Sequence, residues 1–314
     1  LRVALAYDVG GRGDQSFNDS AAAGLEKAIS DIGLVRDNTR ELAAANGESE
    51  DARTTRLRQL ATDGFNPVVA VGFAYADALG VIAAEFPDTQ FAIVDGAVDL
   101  PNVTGLTFAS EQGSFLAGAA AALRTTSCQV GFVGGVEVPL IQAFEAGFVE
   151  GATAVAPDIQ VDVDYISPAG DFSGFNDPAR GTEVARGQLD GGADVVYHAA
   201  GGSGQGVFQA VSEANTAEAP KWAIGVDSDQ YNTVDAPVNE VIMTSMLKRV
   251  DVAVFNYVNA VAAGDASVIP PAFDLSVDGV GYSTTGGAID DLVADLDAYK
   301  AAIVNGDITV SSTP

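Results

Sequence analysis

The chain has 314 residues, of which 47% are hydrophobic, and its 43 acidic and 15 basic side chains give a formal net charge of −28. This length and apolar content supply a core for about two domains and exclude a wholly disordered chain. The acidic excess argues against nucleic-acid binding, because contact with the phosphate backbone depends on lysine and arginine.

Short apolar segments alternate with amphipathic segments through most of the chain. Predicted strands lie, in chain order, at 3–7, 41–45, 68–71, 91–94, 130–132, 161–165, 195–197, 223–226 and 241–244. Predicted helices lie at 18–32, at 50–62, up to 85, from 111, at 251–263 and at 291–305. Strands that are apolar on both faces and separated by helices indicate α/β units with parallel sheets covered on both sides.

The numbers of Cys, His and consecutive apolar residues restrict which bonds and sites the chain can form and where it is located. Cys128 and His198 are the only cysteine and histidine, so a disulfide or a thiolate metal cluster is excluded and a Ser-His-Asp triad is disfavoured. No apolar run approaches the roughly 18 residues of a membrane span, and no export signal is visible. We therefore expect a chain that is either cytosolic or has lost its export segment.

The acidic residues are mostly Asp, 30 against 13 Glu, and the basic residues are mostly Arg, 11 against 4 Lys. An Asp-rich, Lys-poor surface is typical of a protein that works in concentrated salt, where repulsion between carboxylates is screened. The sequence therefore predicts a halophilic origin, with ordinary solubility charge as the alternative.

Ligands of open parallel sheets bind at the carboxyl ends of the strands. The first strand ends in a glycine-rich loop that begins at Asp8, and Ser16 or Asn18 is placed to cap the helix that follows. Asp227 follows a later buried strand, where an acidic side chain suits the vicinal hydroxyls of a ribose. Lys248 is one of only four lysines and lies beside a buried run. His198 has no evident catalytic partner and is interpreted as structural.

Several of these segments together resemble the basic membrane protein (BMP) family of ABC-transporter substrate-binding proteins, whose characterised members bind purine nucleosides. The resemblance runs from about residue 2 to about residue 285. It rests on Asp14 and on DVGG at 8–11, SFN at 16–18, GSFLAG at 113–118, VGFVGG at 130–135, HAAGG at 198–202, GVDSDQ at 225–230 and SMLKR at 245–249.

The resemblance implies the type I periplasmic-binding-protein fold, with two Rossmann-like lobes, three crossing strands and a ligand cleft between the lobes. The N-terminal lobe is expected to comprise 1–107 plus about 245–272, and the C-terminal lobe 108–244 plus about 273–314. It further implies a non-enzymatic monomer without cofactor or metal. This monomer would bind adenosine, guanosine or inosine, deliver it to an ABC permease, and be lipid-anchored outside the cytoplasm through an N-terminal segment that precedes Leu1.

For the base, the resemblance implies that Phe17 stacks on one face and Phe175 on the other, with Phe172 as the alternative to Phe175. Asp14 stands where some family members carry Asn at the base edge, and Asp95 is a second candidate there. An ionised carboxylate only accepts hydrogen bonds, so the expected base edge is rich in N–H donors.

For the sugar, the resemblance implies that Asp227 and Lys248 hold the ribose hydroxyls and that Gly201 offers a backbone contact. The remaining ligand-binding candidates are Asp8, Asn18 and Gly202. The chain has no obvious cluster of Arg or Lys to neutralise a phosphate at these positions, which favours a nucleoside over a nucleotide.

Three other functions compete with this interpretation. A nucleoside hydrolase would hold calcium on a tight aspartate cluster, but Asp8, Asp14 and Asp19 are spaced too widely. A nicotinamide dehydrogenase would need the Gly-x-Gly-x-x-Gly spacing, whereas the glycines at 202, 204 and 206 alternate. The sensor lobe of a transcription regulator is disfavoured by a charge hostile to DNA.

Overall fold

The computed structural model describes all residues 1–314. The chain divides into two compact units, the first comprising Leu1–Phe108 and Arg249–Phe273 and the second Ala109–Lys248 and Asp274–Pro314. The chain therefore passes from one unit to the other at three points along its sequence.

The eleven strands and ten α-helices are numbered along the chain. The strands are β1 Val3–Val9, β2 Thr39–Ala44, β3 Val68–Val71, β4 Phe91–Val94, β5 Val103–Leu106, β6 Gln129–Val136, β7 Gln160–Ser167, β8 Val195–Ala199, β9 Trp222–Asp227, β10 Ile242–Lys248 and β11 Val280–Tyr282. The helices are α1 Phe17–Asp31, α2 Glu50–Thr62, α3 Ala76–Glu85, α4 Ser110–Arg124, α5 Pro139–Val155, α6 Pro178–Gly191, α7 Gly204–Ala214, α8 Gln230–Thr233, α9 Val250–Ala263 and α10 Val293–Val304.

The first unit is built on a fully parallel sheet with the strand order β2-β1-β3-β4-β5. Alternate residues of its central strands pack against α1 and α9 on one face and against α2 and α3 on the other. The strands β1, β3 and β4 are buried throughout because both of their faces are covered, which explains their continuous apolar sequences.

The second unit has a six-stranded sheet with the order β11-β10-β9-β8-β6-β7, parallel except for the pairing of β11 with β10. Helices α6 and α7 pack on one face. Within the sheet and α5, the aromatic rings of Phe132, Phe148 and Tyr197 pack against one another.

The two sheets repeat one topology, since β7-β6-β8-β9-β10 in the second unit matches β2-β1-β3-β4-β5 in the first. The match extends to the backbone conformation at the end of the fourth strand of each sheet. Asp95 directly follows β4 and Asp227 ends β9, and both have a left-handed backbone, with φ of 62° and 64°. An Asp tolerates this conformation better than most residues, so the two sheets share the same turn out of the fourth strand.

The structure differs from the sequence-based expectation in two strands and in one unit boundary. The strand β5 was not predicted, because its Thr104 and Gly105 are only half-buried and interrupt the apolar pattern. The strand β11 was not predicted either, because it has only three residues. Residues 245–248, expected in the N-terminal lobe, belong to the second unit because β10 pairs with β9 along its length.

Candidate functional site

Asp8 lies near the carboxyl end of β1, and only 7% of its surface is exposed. Its Oδ1 accepts a hydrogen bond from the Val9 N–H at 2.8 Å. Its Oδ2 faces the Cα of Gly72, and a Cβ at that position would lie 2.7 Å from Oδ2. The turn after β3 can therefore approach Asp8 only because residue 72 is glycine. Burial raises the pKa of Asp8 to about 6, and the nearby Glu48 and Asp95 carboxylates add to that shift.

Asp14 lies in the loop before α1, and three backbone N–H groups donate to its carboxylate. Oδ1 accepts from Ser16 and Asp19, and Oδ2 accepts from Asn18 at 2.8 Å. This is a helix-capping arrangement, which satisfies N–H groups that the first turn leaves without intrahelical partners. Both oxygens therefore accept hydrogen bonds from backbone N–H groups of the loop and the first turn of α1. A role for Asp14 at a base edge stays a prediction.

Asn18 joins the end of β1 to the start of α1. Its Oδ1 accepts from the Asp8 N–H and its Nδ2 donates to the Val9 carbonyl, both at 3.2 Å, and the residue is 2% exposed. These bonds fix the Asp8 backbone and bring it beside the first turn of α1. The neighbouring Phe17 is half-buried and packs partly on the core beneath α1.

Asp95 lies at the same edge of the first sheet as Asp8. Its N–H donates to the Leu106 carbonyl, which ties the turn after β4 to the end of β5. The Asp95 carboxylate also contributes to the raised pKa of Asp8. The first unit therefore brings Asp8, Asn18 and Asp95 together at the carboxyl ends of its strands.

The second unit places Phe175 in a turn of 3-10 helix after β7. A Cβ on Gly135 would lie 2.5 Å from the Phe175 ring, and one on Gly201 would lie 3.2 Å from the Phe175 carbonyl oxygen. The ring therefore lies over the carboxyl end of β6 and beside the turn that follows β8. Phe172 belongs to the same turn and is also half-buried, so the choice between the two rings stays a prediction.

Gly201 and Gly202 form the 3-10 turn between β8 and α7, and Ser203 anchors it. The Ser203 hydroxyl donates to the Gly174 carbonyl and accepts from the Asp177 N–H, both at 2.7 Å. Ser203 was not among the predicted site residues, although a serine in a glycine-rich turn is a recognisable signal. It fixes the Phe175 turn against the end of β8.

Asp227 and Lys248 end the neighbouring strands β9 and β10 and are 6% and 2% exposed. The distance from Lys248 Nζ to Asp227 Oδ1 is 3.9 Å. A buried lysine is rare unless an acid accompanies it, so this pair is the strongest electrostatic feature at this edge. Together with Phe175, Gly201 and Gly202, it forms the second group of predicted site residues.

His198 is fully buried, as expected for a structural histidine. Its Nε2 lies 3.0 Å from Gln230 Oε1, which also accepts from the Val226 N–H. The Nε2 therefore carries the proton and donates. Burial lowers the pKa of His198 to about 4, so it is neutral at pH 7 and holds the β8 and β9 ends together through Gln230.

A family model for PnrA-like ABC transporter substrate-binding proteins, Bmp, matches residues 2–313. The chain belongs to the Bmp family. It is therefore a solute-binding protein and not an enzyme. No group of three or more His, Cys, Asp or Glu side chains is arranged to hold a metal ion, and none of the helices is long and apolar enough to cross a membrane.

Curated relatives cover almost the whole chain. The nucleoside-binding protein BmpA of an ABC transporter in Lactococcus lactis is 34% identical, over 99% of this chain and 89% of the relative. The CD4+ T-cell-stimulating antigen of Listeria monocytogenes is 36% identical, over 99% and 88%. An uncharacterised lipoprotein of Pyrococcus horikoshii is 30% identical, over 90% and 68%.

Solved structures support the fold. A solute-binding protein of an ABC transporter system from Aeropyrum pernix superposes with a TM-score of 0.81 at 24% identity, covering 99% of this chain and 93% of its own. A corresponding protein from Conexibacter woesei gives a TM-score of 0.74 at 25% identity, covering 99% of both chains. The expected type I periplasmic-binding-protein fold is confirmed.

The pKa of Asp8 predicts how stability depends on pH. Between about pH 4 and 6 the folded chain keeps a proton on Asp8 that the unfolded chain has lost, so ionisation of Asp8 destabilises the fold as pH rises. We expect Asp8→Asn to unfold with the same free energy as the parent near pH 4. At pH 7 the variant should be more stable by about 3 kcal/mol at most, a shift of roughly two pKa units.

Chemical denaturation of both proteins at pH 4, 5, 6 and 7 measures this difference directly. Because Asp14 is present in both, its own titration cancels in the comparison. A variant that is destabilised by the same amount at every pH would contradict the prediction.

Proposed function

We propose that the chain binds a purine nucleoside, with the Asp227–Lys248 pair holding the ribose hydroxyls. The observation that carries this proposal is the pair itself, a carboxylate and an ammonium buried side by side at the ends of β9 and β10. A hydroxyl can donate to the carboxylate and accept from the ammonium, so vicinal hydroxyls match both groups. The nucleoside-binding name of the Lactococcus relative supports the same ligand.

The charges at these positions favour a nucleoside without phosphate. Asp8, Asp95 and Asp227 contribute carboxylates, and Lys248 is the one basic residue among the predicted ligand-binding residues. A phosphate group is best held by several arginines or lysines in bidentate geometry. We therefore expect nucleotides to bind much more weakly than nucleosides.

For the base, the proposal assigns stacking to Phe17 and Phe175 and the polar edge to Asp8 and Asp95. Aromatic stacking accepts any purine, and hydrogen bonding then selects among them. The carboxylates of Asp8 and Asp95 accept hydrogen bonds from N–H groups. Guanosine, which offers both a ring N–H and an amino group on one edge, is the preferred ligand, ahead of inosine and adenosine.

The proposed task is delivery of the nucleoside to an ABC permease on the outer face of the cytoplasmic membrane. The family assignment supports a transporter partner, and the lipoprotein name of the Pyrococcus relative supports a lipid anchor. We propose that the chain acts there as a monomer. We also infer a setting of concentrated salt from the surplus of aspartate over lysine.

Titration calorimetry tests the ligand, after unfolding and refolding the protein to remove any nucleoside carried over from expression. We expect guanosine, inosine and adenosine to bind, and ribose and guanosine monophosphate to bind at least tenfold more weakly. Binding of a sugar or an amino acid in place of all three nucleosides would overturn the proposal.

A further inference from the structure

The loop that joins β1 to α1 is tied to a neighbouring strand by Arg12, which was not among the predicted site residues. Arg12 Nε donates to Glu41 Oε2 at 2.6 Å and Nη2 donates to Glu41 Oε1 at 3.2 Å, so the guanidinium contacts both carboxylate oxygens. Nη2 also donates to Glu26 Oε1 at 2.7 Å. Because Glu41 lies on β2 and Glu26 lies on α1, one side chain joins the loop to two other elements.

The contacts of Arg12 belong to a closed ion-pair network. Glu26 also pairs with Arg36, whose Nη1 lies 3.8 Å from Glu41 Oε1, so two cations and two carboxylates alternate around a ring. The buried Tyr7 hydroxyl donates to Glu41 Oε2 at 2.5 Å and anchors that carboxylate to β1. Isolated exposed ion pairs contribute little to stability, whereas bidentate geometry and membership of a network increase the contribution. Arg12 and Glu41 meet both conditions.

The loop passes close to the face of β2 that carries Glu41. A Cβ on Gly11 would lie 2.9 Å from Ala43 Cβ, and residues 41 and 43 point to the same side of the strand because side chains alternate. Gly11 has a positive φ, as do Gly10 and Gly13. Glycine loses more conformational freedom than any other residue when its backbone is fixed. Three of the four residues at 10–13 are glycine, so contacts from outside the loop help to select one path.

The two ends of the loop are held by other contacts. The Asp19 carboxylate accepts from the N–H groups of Gly13 and Gln15, both at 2.9 Å, and Asn18 bonds to the end of β1. These contacts fix the ends of the loop to β1 and to the first turn of α1. Arg12 lies between the two ends, and its ion pairs fix the middle of the loop to the sheet.

We propose that Arg12 is a positioning residue that keeps this loop in its ligand-binding path before a nucleoside arrives. The predicted ligand-binding residues Asp8, Phe17 and Asn18 lie at the two ends of the loop, so its path sets their spacing. Without Arg12 the middle of the loop leaves β2 and other paths become populated. The apparent affinity then falls in proportion to the fraction of molecules that keep the binding path. This inference rests on the proposed function for the identity of the ligand, and on the ion-pair network for its geometry.

The test is Arg12→Met, which keeps an unbranched apolar side chain and removes the guanidinium. We expect the variant to bind guanosine about fivefold to twentyfold more weakly than the parent, measured by calorimetry in dilute buffer. The matched control is Arg58→Met, which breaks the bidentate pair of Arg58 with Glu85 between α2 and α3 of the same unit. The Arg58 side chain is 42% exposed and that of Arg12 is 44% exposed, and the control should keep the parental affinity. Equal affinities in the two variants would overturn the role of Arg12.

A salt series separates the ion pairs from packing. Dissolved ions screen a partly exposed network, so the ratio of parental to Arg12→Met affinity should be largest in dilute buffer and smallest near about 1 M NaCl. Arg12→Lys keeps the charge and loses the bidentate contact, so its affinity should lie between those of the parent and Arg12→Met. A ratio that does not change with salt would assign the loss to packing and contradict the proposal.

Hydrogen exchange in the protein without ligand tests the loop even if no nucleoside binds and the proposed function fails. We expect the amides of Gly13 and Gln15 to exchange about tenfold faster in Arg12→Met than in the parent, because the loop opens more often. In Arg58→Met both amides should exchange at the parental rate. Unchanged exchange at both amides in Arg12→Met would overturn the positioning role independently of any ligand.

Discussion

Replacing Asp227 is expected to weaken guanosine binding at least tenfold. The buried carboxylate accepts hydrogen bonds from the sugar, and a hydrogen bond to a charged group contributes about 1.5–3 kcal/mol. Asp227→Asn is the better variant because Asn tolerates the left-handed backbone at this position, whereas Asp227→Ala adds a strain that is unrelated to the ligand. Calorimetry on both variants, with melting curves in the absence of ligand, gives affinity and stability separately.

The matched control is Asp235→Asn, which removes the same charge from an exposed position in the same unit. The parent should also bind 2′-deoxyguanosine more weakly than guanosine, and the Asp227 variants should lose most of that difference. Parental affinity in Asp227→Asn would remove Asp227 from the binding site.

The melting temperature is expected to rise steeply with NaCl or KCl from dilute buffer to about 1 M. At 0.01 M the Debye length is about 30 Å, so carboxylates repel one another across much of each unit, and at 1 M it is about 3 Å. The repulsion is greatest in the second unit, which holds 25 acidic against 6 basic residues, compared with 18 against 9 in the first. Most basic residues already pair with a carboxylate, so further screening must come from dissolved ions.

A salt series at pH 7, repeated near pH 4, measures this effect. At the lower pH the exposed carboxylates begin to protonate, and the salt dependence should shrink. A rise that continues above 1 M would point to stronger hydrophobic burial or ion binding as a further contribution. A melting temperature that does not change with salt at pH 7 would contradict the halophilic interpretation.

The sequence predicts strand-end residues better than it predicts what their side chains do. The positions of Asp8, Asp227 and Lys248 follow from buried apolar strands, whose ends are clear because polar or glycine residues come next. A capping aspartate in this loop is one sequence-based interpretation, but the sequence does not specify Asp14, because the capping depends on a loop path with positive φ at Gly10, Gly11, Gly13 and Gln15. Backbone conformation of this kind is set by many weak contacts, and residue types alone do not specify it.

Contacts between elements that are distant in the sequence could not be predicted from the sequence either. The approach of Gly72 to Asp8 and of Phe144 to Lys248 depends on how strands and helices pack, which no local pattern records. The family resemblance predicts which residues meet a ligand, because those residues lie in the motifs that carry the resemblance. The resemblance gave no indication that the Phe144 ring lies near Lys248. A phenylalanine on the apolar face of a helix is typical of the hydrophobic core.

The backbones of helices α4 and α5 approach each other closely at three glycines. A Cβ on Gly118 would lie 2.0 Å from the Phe148 carbonyl oxygen, and one on Gly147 or Gly151 would lie 2.1 or 1.9 Å from the carbonyl oxygens of Glu111 and Phe115. Backbone contacts this close leave neither helix room to roll or slide on the other. We therefore expect the two helices to move with the second unit as one rigid pair. A fluorophore or spin label on the exposed face of α5 would then report the orientation of that unit, without a contribution from motion of the helix within it.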